Sequence, residues 1–392
     1  MNGTLPRSYS ASHPWITFLV DLRRLPTDTW MLLGEVRSKI EHLSLALLKP
    51  EVAEEMNRLY LAKGAHATTA IEGNTLSEDE VLEIIEGRHE GPPSQHYLVQ
   101  EVTNVVDACN QIKDRLIGGG AAEFTPETIK AFNRQVLADL DLDPRIQPGE
   151  CRKSSVVVGN YRGAPAEDCE YLLERLCEWL NGEDFAPRSA AWTVPTALIK
   201  AVIGHLYLAW IHPFDDGNGR TARLMELQTL LAAGMPMPAA HLLSNHYNET
   251  RSEYYRQLDR ASRSGGDVLP FLGYALEGFI DGLRIQLNRV WNQQYADRWE
   301  QFIYESFGDT HTQAKERQRR LVLELSKRDG PVQRRELVRM TPELFEAYLG
   351  TERTLSRDLN ALERLGLISR VRAGWIPERE QIMAFQPLRR QE

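Results

Sequence analysis

Twelve residues, His212-Pro213-Phe214-Asp215-Asp216-Gly217-Asn218-Gly219-Arg220-Thr221-Ala222-Arg223, bring an imidazole, a carboxylate, two glycines around an amide and two guanidinium groups into one short run. Glycine and asparagine are poor helix formers, whereas Thr221 to Leu227 reads as the opening of a helix. A glycine-rich turn feeding a helix leaves backbone N–H groups unpaired and pointing one way, where the helix dipole adds partial positive charge. Glycines also let a phosphate approach the main chain with no Cβ between them. Arg220 and Arg223, three apart, project from one helix face and can reach successive phosphates. Asp216 offers a hard oxygen to Mg2+ beside those phosphates. His212, four residues earlier, is the proton acceptor suited to neutral pH. These groups together fit a nucleoside triphosphate and a metal beside a base, which points to phosphoryl or nucleotidyl transfer. Asp-Gly pairs or paired arginines taken singly are ordinary turns and solvated faces; the fixed register of all of them argues for chemistry.

The elements around the run read as helices. Apolar residues recur at spacings of three and four over Leu45 to Glu72, Glu78 to Glu86, His96 to Leu116, Pro126 to Leu137 and Glu167 to Leu180. The same spacing continues over Ala197 to Ile211, Thr221 to Ala233, Glu249 to Ser262 and Val268 to about Tyr304. His205, on the helix leading into the run, reads as a packed structural histidine. One β-like stretch stands out, Val156-Val157-Val158 followed by Gly159-Asn160, which predicts a hairpin arm. The first thirty residues lack periodicity and are expected to wrap over the surface.

The run from His212 to Arg223 resembles the Fic family signature His-x-Phe-x-Asp/Glu-Gly-Asn-Gly-Arg-x-x-Arg and matches it at every defined position. Most members of that family move AMP from ATP to a Ser, Thr or Tyr hydroxyl of a protein. The resemblance implies that His212 is the general base and Asp216 the Mg2+ ligand. It implies that Gly217, Asn218 and Gly219 cradle the α- and β-phosphates, with Thr221 beside them among the ATP-binding residues. Arg220 and Arg223 would hold the outer phosphates, and Phe214 would anchor the loop in the core. A protein substrate with a hydroxyl side chain, ATP and Mg2+ are therefore the expected partners.

Thr68-Thr69-Ala70-Ile71-Glu72-Gly73 resembles the family's inhibitory motif Ser/Thr-x-x-x-Glu-Gly/Asn, with Thr68 and Glu72 four apart on one helical face. The resemblance implies that Glu72 pairs with Arg223 and blocks placement of the γ-phosphate. The segment from Pro148 to Asn160 resembles the family's flap, a hairpin that clamps the target by strand-like pairing and touches the nucleotide. That resemblance adds Val156, Val157, Val158 and Gly159 to the ATP-binding residues; Cys151 stands where the family often has an aromatic residue. Tyr254 resembles a tyrosine near the adenine, and the alternative reading is a buried core tyrosine. Two other activities stay open: a hydrolase removing AMP, with Glu72 aligning water, and a DNA-binding regulator whose Fic domain senses nucleotide. Family members often dimerise, which implies a homodimer.

Of the 392 residues, 42% are apolar and 26% charged, ordinary for a globular protein. By the sequence, no apolar run is expected to reach bilayer-spanning length, no membrane partner is expected, and the N-terminus lacks a basic-then-apolar signal pattern. Four cysteines without Cys-x-x-Cys spacing argue against a disulfide framework and for a reducing cytoplasm. Residues 317–380 hold fourteen Lys/Arg against ten Asp/Glu, a net +4, leaving −13 for the rest of a chain of −9. Leu344 to Leu359 there resembles a helix-turn-helix, with Leu349-Gly350-Thr351 as the turn. Leu355, Leu359, Leu362 and Leu365 are expected on one side of the following helix, leaving Arg353, Arg357 and Arg364 elsewhere. Val371 to Ile376 reads as a small wing hairpin. The expected architecture is mostly α: an N-terminal helical region over 1–120, a Fic helical core with a β-hairpin flap over 121–305, a linker at 306–316, and a winged helix over 317–392. The last would contact either DNA or a protein.

Overall fold

Thr193–Ile211 is the most apolar helix of the chain, and the rest of the site is built against it. In the computed structural model, which describes residues 7–158, 161–308, 312–349 and 352–383, this helix carries buried residues on nearly every side. Its stretch Ala190–Ile211 is long and apolar enough to cross a membrane by composition, contrary to the sequence expectation. Yet 72% of its apolar 18-residue stretch is buried inside the protein. A helix apolar all round is satisfied equally by a protein core.

The described residues pack as two units, Met1–Asn288 and Arg289–Glu392. In the first, Thr193–Ile211 lies against Asn218–Ala232, and the loop 212–217 joining them carries the motif. Around this pair pack Thr27–Ser44, Pro50–Ala70, His96–Ile117, Pro126–Val136 and Cys169–Leu180. Local chemistry sets several starts. Ser77 and Glu80 form a reciprocal capping box on Glu78–Ile85, and Thr125 caps Pro126–Val136 with Pro at the first position.

Several expected boundaries moved. The N-terminal stretch does not merely wrap the surface: Ile16, Phe18 and Leu25 are buried, and Thr27–Ser44 inserts Leu33, Val36 and Ile40 into the core. The helix expected from Leu45 begins at Pro50, leaving Leu45 and Leu47 exposed. It ends at Ala70, so Glu72 stands in the turn that follows. The helix expected over Glu249 to Ser262 runs Arg251–Arg263, and a further helix, Leu242–Glu249, precedes it. The flap is short: Val157–Val158 pairs antiparallel with Tyr161–Arg162, and Val156 adds one bond by accepting from the Gly163 N–H. Gly159 and Asn160 lie outside the described residues.

The second unit has its own core of Trp299, Ile303, Leu321, Leu325, Leu337, Leu344, Leu355, Leu359 and Leu362 with neighbours. Its helices Gln313–Ser326, Arg334–Leu337, Pro342–Tyr348 and Glu352–Arg364 precede an antiparallel hairpin, Ile368–Val371 with Gly374–Pro377. Val332 bridges to Trp375 as a third rung. Leu365 is 42% exposed, against expectation, because the helix ends at Arg364 and the chain turns away there. Gly350 and Thr351 of the expected turn lie outside the described residues. Asp358 is buried and held by Arg317, Gln318 and Tyr348, which fixes the Glu352–Arg364 helix to its neighbours.

Candidate active site

His212 ends the apolar helix in a left-handed conformation, φ 48° and ψ 59°. A non-glycine residue held there costs about 1 kcal/mol or more, so its surroundings must over-determine it. Arg152 does so. Its backbone N–H donates to Pro213 O at 2.9 Å, and its buried guanidinium donates to His212 O at 2.7 Å, to Ser154 O at 2.6 Å and to Ala164 O. This ties the base of the flap to the motif loop. Burial pushes the imidazole down to about 4, and the Arg152 cation pushes the same way; the Ala209 carbonyl, Glu72 and Asp216 oppose them. The ring is therefore neutral at pH 7.

The turn is braced by two asparagines. Asn218 accepts from Phe214 N at 3.0 Å and donates to Phe214 O at 2.8 Å, closing the loop over the buried Phe214 ring. Its side chain is thus committed to the loop, and its backbone is what faces outward from the helix start. Asn133, which the sequence reading missed, donates to Asp216 O at 2.8 Å and accepts from Gly149 N at 2.8 Å. Gly217 sits at φ 78° as N-cap, with Asn133 where a Cβ would be. The helix opens at Asn218, three residues before the expected Thr221, so the N–H groups of its first turn belong to Asn218, Gly219 and Arg220. Thr221 is fully buried and its hydroxyl faces Asn133 at 3.4 Å.

Glu72 reaches into this turn. Its carboxylate lies 2.6 Å from Arg223 Nη2, which also donates to Thr68 O at 2.9 Å. A Cβ at Gly219 would collide with the same carboxylate, so Glu72 lies directly over the glycine. Thr68 and Glu72 thus meet Arg223 together. Gly73, at φ 107°, closes the turn. Burial raises the Glu72 carboxyl, but the Arg223 guanidinium, with Arg220 and His212, outweighs it and holds the group below its usual range. Arg223 is buried, and its Nε and Nη1 have no partner among the described residues.

Arg220 is buried as well. It pairs with Asp216 Oδ1 at 2.9 Å and with Glu101 Oε1 at 2.5 Å. Glu101 carried no sequence signal; it sits mid-helix in His96–Ile117. Among the described residues no group of three or more His, Cys, Asp or Glu is gathered around a metal position. Asp216 alone is a single half-exposed carboxylate, which suits Mg2+ taking its remaining ligands from phosphates and water.

A cavity of about 600 Å3 opens beside these groups, with Glu72, His212, Asn218 and Gly219 in its wall. Tyr161, Tyr254 and Tyr255 line it as well, and its volume suits a nucleotide. Tyr254 is buried as the alternative reading had it, its ring against Tyr247 with centroids 4.8 Å apart, and it also lines the cavity. Its hydroxyl bonds His205 Nε2 at 2.8 Å, and His205 Nδ1 faces Glu226 at 3.1 Å, so His205 is a packed structural residue. From the flap it is Tyr161, with its hydroxyl on Trp210 O at 2.8 Å, that lines the cavity; Val156 and Val157 do not. Val157, 68% exposed, pairs with Arg162 one position along from Tyr161, so alternation sets it on the opposite face from Tyr161.

Comparison with known proteins agrees with this geometry. The Fic/DOC family profile matches residues 123–230, which span the flap, the apolar helix and the motif. The chain is 30% identical over 265 residues to protein adenylyltransferase fic-1 of Caenorhabditis elegans, covering 66% of this chain and 48% of that one. It spans less than half the length of the curated relatives it matches. A solved Fic family protein from Desulfovibrio desulfuricans G20 superposes with TM-score 0.54 at 22% identity, over 90% of this chain and 94% of that one, a likeness of fold. Fic-1 from C. elegans superposes with TM-score 0.54 at 27% identity, over 66% and 72%. The protein carries a Fic domain.

Proposed function

We propose that the protein is an autoinhibited protein adenylyltransferase, moving AMP from ATP to a Ser, Thr or Tyr hydroxyl of a target protein and of itself. The observation that carries the reading is the Glu72 carboxylate lying over Gly219 and paired with Arg223 in a cavity that also holds His212. A carboxylate in that place occupies the position an anionic phosphate would take, which is the signature of a site built for the anion. In the active form Glu72 withdraws. The first-turn N–H groups of Asn218 and Gly219, with Arg220 and Arg223, then hold the triphosphate. Mg2+ held by Asp216 would neutralise charge on the phosphates and on departing pyrophosphate. His212, neutral, takes the proton of the target hydroxyl. The hydroxyl oxygen bonds to the α-phosphorus, the bond from that phosphorus to the bridging oxygen breaks, and pyrophosphate leaves. Residue contributions are positioning and charge neutralisation.

Labelled ATP tests this reading. Glu72→Gly should incorporate label from the α-phosphate and none from the γ-phosphate; γ-label on protein would make it a kinase-like transfer, and no label would refute transfer. The relatives' printed name, protein adenylyltransferase, supports the same chemistry. For the C-terminal unit we propose contact with an anionic partner, DNA or protein, supported by Arg353, Arg357 and Arg364 exposed on the Glu352–Arg364 helix. A gel shift with the His212→Ala form measures it independently of transfer.

A further inference from the structure

We propose that Glu101 is a positioning residue that keeps Arg220 aimed at the nucleotide once Asp216 turns to the metal; this rests on the nucleotidyl-transfer reading above. Arg220 is buried, and a guanidinium at that depth needs a fixed counter-charge. It has two, and they differ. Asp216 sits on the motif loop with its side chain 36% exposed, so it is free to take a metal. Glu101 sits on His96–Ile117 with its side chain 7% exposed, and its second oxygen accepts from Asn74 Nδ2 at 3.0 Å. Asn74 itself donates to Leu98 O at 2.9 Å and accepts from Leu76 N at 3.0 Å, so Glu101 is held from behind.

The two carboxylates also use different nitrogens. Glu101 takes Nη1 and Asp216 takes Nη2. With Asp216 holding Mg2+, Nη2 would be available to the phosphates while Nη1 would stay on Glu101. Because the guanidinium is a rigid planar fork, fixing one nitrogen fixes the direction of the other. Glu101 is unlike Glu72, for it does not line the cavity and does not lie over Gly219. It supports the arginine without filling the phosphate's place. Asn74, two residues after Glu72, joins this support to the inhibitory turn.

The test replaces Glu101 by Gln, which keeps shape and removes charge, in the Glu72→Gly background. Without nucleotide Arg220 still has Asp216, so the melting temperature should hold. Affinity for ATP with Mg2+, by calorimetry, should fall about tenfold, the scale of one charge-assisted bond, and KM for ATP should rise in step. Combined with Arg220→Ala, the same change should add nothing. Asn74→Ser, which leaves the carboxylate but frees it, should give a smaller loss of the same sign and serves if Glu101→Gln does not fold. Unchanged ATP affinity, additive losses with Arg220→Ala, or a rise in transfer would each overturn the inference, the last marking Glu101 as a second block. If Glu72→Gly itself binds no adenine nucleotide, the functional reading and this inference fail together; if it binds and transfers while Glu101→Gln is neutral, only this inference fails.

Discussion

Glu72 and Arg223 meet at 2.6 Å above Gly219, so one carboxylate both neutralises the arginine and covers the glycine. The two residues are far apart in sequence, and the contact exists only because Pro50–Ala70 packs beside the motif helix.

Removing that carboxylate has two opposite consequences. Glu72→Gly should raise self-modification by about tenfold or more, the scale of losing a charge-assisted pair. It should also leave Arg223 buried without a counter-charge and destabilise the nucleotide-free protein by about 1–3 kcal/mol, discounted because Glu72 is partly exposed. ATP with Mg2+ should then raise the melting temperature of the variant more than that of the parent. Equal shifts in differential scanning fluorimetry would contradict the block.

Gly219 is small because something must come close to it. In the Glu72→Gly background, Gly219→Ala should keep the fold, since alanine suits a helix, yet weaken ATP by about tenfold as its methyl group enters the phosphate's place. Calorimetry showing unaltered affinity would mean that the phosphates lie elsewhere.

The pH dependence follows from His212. Its imidazole is depressed to about 4 by burial first and Arg152 second, so the neutral base persists above that and is lost as pH falls through it. The kcat/KM profile of Glu72→Gly should show no limb near 6.5 and should decline only toward pH 4, because removing Glu72 takes away an upward push. Arg152→Ala removes a downward push, so its limb should move toward neutrality, alongside a loss of activity from the untied His212 loop. For stability the sign is the same: below about 6.5 the unfolded chain takes a proton that the folded imidazole refuses. His212 therefore contributes a loss of stability between 6.5 and about 4. Glu72, held low, keeps its pair until pH falls below the ordinary carboxylate range. An acid limb at 6.5 in Glu72→Gly would contradict the buried, neutral base.

In the C-terminal unit, Leu359→Ala opens a cavity in a core of modest size and should cost about 2–4 kcal/mol. Loss of the lower thermal transition with the Fic unit's transfer intact is the expected result; a single unchanged transition would count against separate cores.

Residues 212–223 announced themselves because glycine, asparagine, arginine and histidine in register are costly to keep for packing alone. Their helical frame was also readable from periodicity, with the helix into the motif expected from Ala197 and observed from Thr193. What the sequence hid were partners supplied across the fold. Glu101, Asn133 and Arg152 act on the motif from distant elements, and each looks like an ordinary polar residue in its own neighbourhood. The helix Thr27–Ser44 was hidden because its buried Leu33, Val36 and Ile40 are diluted by exposed Met31 and charged neighbours. At the flap, β propensity gives the strand but not which face turns to the cavity: Tyr161 of the partner strand lines it, and Val156 and Val157 do not.

The central claim is that His212, the glycine turn and two arginines serve one nucleotide, with Glu72 as the block. Intact-mass measurement of Glu72→Gly after incubation with ATP and Mg2+, beside Glu72→Gly/His212→Ala, tests it most directly. The account predicts adducts of AMP mass on the single variant and none on the double variant, which still binds ATP. Adducts on both, or on neither despite bound nucleotide, would contradict it.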